Sequence, residues 1–115
     1  MRIVASDEIE AVLTYRELIE TLLRAYRSQT SVPEPVRYGI DRPNAASGRL
    51  MVAPAWTNFT AQGHTDRGYV GCTLSVSLPA PENTPHNSGV SNSRPSGIYL
   101  LMSGSTGHPI ALFDG

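Results

Sequence analysis

Residues 97–115 read GIYLLMSGSTGHPIALFDG. Two apolar runs, GIYLLM (97–102) and HPIALF (108–113), flank the short polar stretch SGSTG (103–107), which is the pattern of a β-hairpin. Gly104, Ser105, Thr106 and Gly107 lead into a strand, not into a helix N-terminus that could hold an anion, so they read as a turn and not as a phosphate loop. Pro109 lacks an N–H, which suits an edge strand or the first residue of a strand.

Upstream of this hairpin the chain has two characters. Ile3-Val4-Ala5 is a short strand candidate, and Ser6-Asp7 offers an N-cap to a helix over EIEAVL (8–13). Thr14 and Glu17 have the spacing of a capping box, which starts a second helix. Within it Leu18, Ile19, Leu22, Leu23 and Tyr26 share one face, and Arg16, Glu20, Arg24 and Arg27 take the other. Val32-Pro33-Glu34-Pro35 then ends helical geometry. Beyond it VRYGI (36–40), RLMVA (49–53, bounded by Pro54) and the loosely alternating YVGCTLSVSL (69–78) read as strands. Residues 79–96 hold Val90 as their one large aliphatic side chain and read as an irregular loop. Helices first and strands after predict an α+β domain over residues 1–115, with two N-terminal helices packed on a mixed or antiparallel sheet that ends in a β-hairpin.

Composition narrows the function classes. Apolar residues make up 40% of the 115, enough for one modest core. The ten glycines and nine prolines lie mostly between residues 33 and 109, so that part must be rich in turns. A net charge of −1 gives no electrostatic footprint for nucleic acid or an anionic membrane. The nine basic residues are all arginines, so no lysine is available for Schiff-base or general-base chemistry. One cysteine, Cys72, cannot form an internal disulfide, which predicts a reducing, cytoplasmic setting. No run reaches the roughly 18 apolar residues of a membrane span.

Few residues carry candidate chemistry. His64 and Asp66, with His86 and His108 distant in sequence, lack the second close-spaced ligand pair of a metal site, and none is predicted. Cys72 has no histidine base nearby in sequence and reads as a small apolar strand residue. Arg37, in a strand after the proline break, is suited either to holding a carboxylate bidentately or to the solvated surface.

Four stretches together resemble the amino-terminal portion of the ornithine cyclodeaminase and mu-crystallin family: SDEIEAVLTYRELIETLLRAYRS (6–28), PVR (35–37), LMVAPAW (50–56) and YLLMSGSTGHPIALFDG (99–115). The match is poor between about 57 and 96, and within it residues 79–96 read as either an insertion or a frameshifted segment. The resemblance implies a substrate-binding and dimerisation domain, followed in the family by a Rossmann domain for NAD(H) or NADP(H). It implies activity on amino or cyclic imino acids: ornithine cyclisation, ketimine reduction or amino-acid dehydrogenation. Arg37 falls at the family's carboxylate-clamping arginine, and Cys72 at the place of its catalytic lysine. The expectation is a homodimerising domain truncated before its Rossmann part, with no cofactor bound by this chain, no metal and no catalysis alone. The alternative is a non-enzymatic remnant, or a small module that binds a carboxylate or a protein.

Overall fold

The computed structural model describes residues 1–27, 30–60, 68–79 and 96–114. His64, Asp66 and His86, the loop residues 80–95 and Gly115 lie outside the described residues.

The chain is α+β, with nine elements: β1 (Arg2–Val4), α1 (Ser6–Val12), α2 (Tyr15–Arg27), β2 (Thr30–Ser31), β3 (Val36–Ile40), β4 (Gly48–Thr57), β5 (Tyr69–Ser77), β6 (Ser96–Ser103) and β7 (Pro109–Asp114). The seven strands form one mixed sheet in the order β1-β7-β6-β5-β4-β2, with β3 also paired to β4. Its centre is an antiparallel meander in which β4, β5, β6 and β7 pair with their sequence neighbours. β1 joins in parallel beside β7, setting Ile3 opposite Leu112. The helices carry the chain from that edge to β2 at the opposite one.

The local signals explain most boundaries. The capping box forms as its spacing requires: the Glu17 N–H donates to Thr14 Oγ1 at 3.3 Å, and the Thr14 N–H donates to Glu17 Oε2 at 3.3 Å. α1 differs from expectation by starting at Ser6, with Ala5 as its N-cap and no side-chain cap bond. The Asp7 carboxylate instead accepts the Glu8 N–H at 3.0 Å. The strand expected to stop at Pro54 runs on to Thr57. Pro54 falls where β3 pairing has ended at Val52 and β2 pairing has not begun at Trp56, so a missing N–H costs least there.

The closing hairpin has a structured loop. The Ser103 N–H donates to the His108 carbonyl and the Gly107 N–H to the Ser103 carbonyl, both at 2.9 Å. Gly107 takes φ +74°, a left-handed conformation natural to glycine. Pro109 is the first residue of β7, beside a register shift between Leu101 and Met102. β7 is no edge strand, because β1 covers its outer side beyond Pro109.

One expectation is not met. The helices were predicted to pack on the sheet, yet no described residue of either helix is buried, and Ile19, Leu22 and Leu23 keep 57, 46 and 54% of their surface exposed. The radius of gyration is 17.6 Å, against about 13 Å for a compact domain of this length. Sheet and helices each keep an apolar face open instead of covering one another.

Replacing Gly107 with alanine should cost about 1 kcal/mol, because a Cβ in the left-handed region meets its neighbouring backbone. A urea unfolding curve indistinguishable from wild type would contradict this.

Candidate functional site

Directly opposed residues in an antiparallel pair share one face of a sheet. Arg37 pairs with Met51, Met51 with Ser75, and Ser75 with Gly97, so these four form one row. The next row holds Ala53, Thr73, Tyr99 and Phe113. On the other side of the Arg37 row lie Gly39, Arg49 and Ser77. The sequence TLSVS (73–77) thereby divides: Thr73, Ser75 and Ser77 stand on the face of Arg37, while Leu74 and Val76 stand on the reverse.

That reverse face is apolar. A single row across it contains Pro54, Cys72, Leu100, Leu112 and Ile3. Cys72 is half-buried there, and its thiol lies 3.6 Å from the Thr73 carbonyl. Arg37 and Cys72 therefore lie on opposite faces and do not share a site. The β5 residues on the face of Arg37 are Tyr69, Gly71, Thr73, Ser75 and Ser77. Among the described residues no group of three histidine, cysteine, aspartate or glutamate side chains could hold a metal. His108 is exposed at the hairpin, where its N–H donates to Thr106 Oγ1 at 3.3 Å.

Further along the Arg37 face is an open cavity of about 180 Å³, lined by Thr30, Thr57, Tyr69, Gly71, Tyr99 and Leu101 among others. The Tyr69 N–H donates to Thr57 Oγ1 at 3.0 Å, which ties β5 to the end of β4. Tyr99 leans over Gly71, where an added Cβ would lie 1.8 Å from its hydroxyl. On the other side the ring meets Phe113 at 6.1 Å with a 51° tilt, an ordinary aromatic pairing. The nearest β4 cavity residue, Ala55, is four positions from Met51, roughly 13 Å along the strand. Arg37 thus stands beyond the cavity, with Thr73 and Tyr99 in the row between.

The arginines are used differently. Arg42 donates from Nε and Nη2 to the Ala46 carbonyl at 2.9 and 2.7 Å, and from Nη2 to the Pro79 carbonyl, pinning the β3–β4 turn to the end of β5. Arg2 reaches Glu8 at 3.4 Å across exposed surface. Arg37 and Arg49 are exposed and have no hydrogen bond or ion pair among the described residues. The hydroxyl row and Arg49 were missed from sequence, although the strict alternation in TLSVS was a visible signal of a polar face.

No protein-family model matches the chain, and no curated protein matches it. Solved structures that share its fold include two enzymes. One is the Δ1-pyrroline-2-carboxylate reductase of Thermococcus litoralis in complex with NADH and L-proline, 23% identical with a TM-score of 0.65 over 100% of this chain and 32% of that one. The other is an archaeal alanine dehydrogenase dimer with bound NAD, 21% identical with a TM-score of 0.62 over 99% of this chain and 31% of that one. The chain spans about a third of the length of each.

Gly71→Ala should displace the Tyr99 ring, lowering stability by about 1–3 kcal/mol through overpacking. Gly39→Ala is the control, since a Cβ there meets nothing within 4 Å. Near-UV circular dichroism and a denaturant curve on both variants would show it, and equal behaviour of the two would refute the close packing.

Proposed function

We propose that this chain is the substrate-binding and dimerisation portion of an ornithine cyclodeaminase-like, NAD(P)-dependent enzyme acting on amino or cyclic imino acids. Support comes from the shared fold with a reductase solved with L-proline and an alanine dehydrogenase solved with NAD. The observation that carries the reading is the placement of Arg37, an exposed guanidinium without an ion pair among the described residues, on a face that also presents Thr73, Ser75 and Tyr99. A substrate carboxylate would take two parallel N–H donors from Arg37, with neighbouring hydroxyls donating to its free lone pairs.

The described residues offer no fitting seat for a dinucleotide. Pyrophosphate binding calls for a glycine-rich turn from a strand into a helix, and the one such junction among the described residues, β1 to α1, is the single residue Ala5. The cofactor, which supplies or accepts hydride in such enzymes, would be held outside this chain. Catalysis is accordingly assigned to a larger assembly, and this portion binds and orients the acid. Thr73, and not Cys72, is the β5 residue beside the Arg37 row on the substrate-binding face.

Dimerisation belongs to the same reading. The face opposite Arg37 exposes Val36, Tyr38, Leu74 and Ile98, which suits burial against a second copy. The lone cysteine fits a cytoplasmic setting, and no helix among the described residues is long and apolar enough to cross a membrane.

The test is a titration of the 115-residue chain with L-proline, followed by amide chemical shifts. Binding should perturb β3 and β5, and Arg37→Ala should weaken it about tenfold or more, the value of a charge-assisted bidentate contact. Undiminished L-proline binding by the variant would remove Arg37 from the site.

A further inference from the structure

The register places a second cation beside Arg37. Arg37 stands opposite Met51 and Arg49 opposite Gly39 in the same β3–β4 pair. The two arginines are therefore diagonal neighbours on one face, about 7–8 Å apart along the backbone and somewhat closer at their Cβ atoms. Both are exposed, and neither has a hydrogen bond or an ion pair among the described residues.

The surroundings favour an anion at both positions. Ser77 stands opposite Arg49, and Ser75 lies in the row of Arg37. Gly39, across from Arg49, adds no side chain, and a Cβ there would meet nothing within 4 Å. Gly97 ends the row of Arg37, also without a side chain of its own. Arg49 thus has open space on its Gly39 side and the Ser77 hydroxyl on the other, and Arg37 has Met51 as its cross-strand neighbour, with Ser75 one strand further along the row. Two like charges at this separation repel each other, and no carboxylate among the described residues lies within 4 Å to offset them. A single carboxylate fills the donor fork of one arginine and leaves the other unanswered. A ligand with two carboxylates joined by a short carbon chain answers both.

We infer that Arg49, with Ser77, forms a second carboxylate subsite, and that this face selects small dicarboxylates: an amino or imino acid whose side chain ends in a second carboxylate. The inference rests on the reading of Arg37 as the clamp for the first carboxylate. Arg37 then fixes the end of the molecule common to all amino acids, and Arg49 reads the end that differs among them.

L-Glutamate and L-glutamine are the discriminating probes, because they differ only in a second carboxylate against an amide of the same shape. Calorimetric titration of the 115-residue chain should show L-glutamate binding at least tenfold more tightly than L-glutamine. Arg49→Met should abolish that preference while changing L-proline affinity less than twofold, and Arg49→Lys should restore part of it through a point charge. Circular dichroism confirms that the variants fold. Equal affinity for the two amino acids in the wild type, a preference that survives Arg49→Met, or inorganic phosphate binding as tightly as L-glutamate would overturn the inference. In each of those cases the Arg37 clamp still stands if Arg37→Ala weakens L-proline binding. Failure of the wild-type chain to bind any of the three amino acids would sink both.

Discussion

Everything assigned to this chain depends on strand register. β4, β5 and β6 pair through eight consecutive positions at each of their two shared edges. Because side chains alternate with a period of two, a slip of one residue would exchange the two faces of a strand along its whole length. The unbroken ladders forbid that slip. They separate Thr73, Ser75 and Ser77 from Leu74 and Val76, and they decide that Arg37 and Arg49 are neighbours while Arg37 and Cys72 are not.

The same sheet explains why the molecule is thinly packed. A sheet with one apolar face needs a second layer to bury it, and an amphipathic helix needs a surface for its stripe. Here Ala111, 6% exposed, is the one buried apolar side chain among the described residues, while Val36 and Tyr38 on the sheet and Ile19 and Leu23 on α2 keep about half their surface. The 40% apolar composition is sufficient for a core, but its apolar surfaces stay largely exposed among the described residues. Hydrogen bonding along the ladders, not enclosure, maintains the order of the strands. A second layer from another copy, or from more of a longer protein, would bury the area this chain leaves open.

How much of this was legible beforehand follows from the range of the interactions concerned. The Thr14–Glu17 capping box, the amphipathic stripe of α2 and the closing hairpin are set by residues a few positions apart, and the sequence displays them directly. The parallel seat of β1 beside β7 joins Arg2 to Ala111, and no local pattern announces a contact across almost the whole chain. β2, at two residues, is too short to carry any periodicity. Arg49 was overlooked for a related reason. Its worth depends on the count of residues through the β3–β4 turn, which Arg42 fixes by binding the Ala46 and Pro79 carbonyls. The helix packing was misjudged because amphipathicity states that a face will be buried, not by what.

The glycines show how the same face can be closed at one end and open at the other. Gly71 has no side chain, and the Tyr99 ring fills the space, making a cavity wall out of an aromatic that would otherwise stand upright. Gly39 also has none, but nothing fills the space, and Arg49 opposite it is exposed. Desolvating a guanidinium costs free energy that a well-aligned anion offsets, so on the proposed reading the open end would discriminate by charge and the closed end by shape. Thr73 lies in the row between these ends. On the proposed reading, a small acid anchored by Arg37 would have two directions in which to extend, toward aromatic walls or toward a second cation, and the chemistry of its side chain would decide between them.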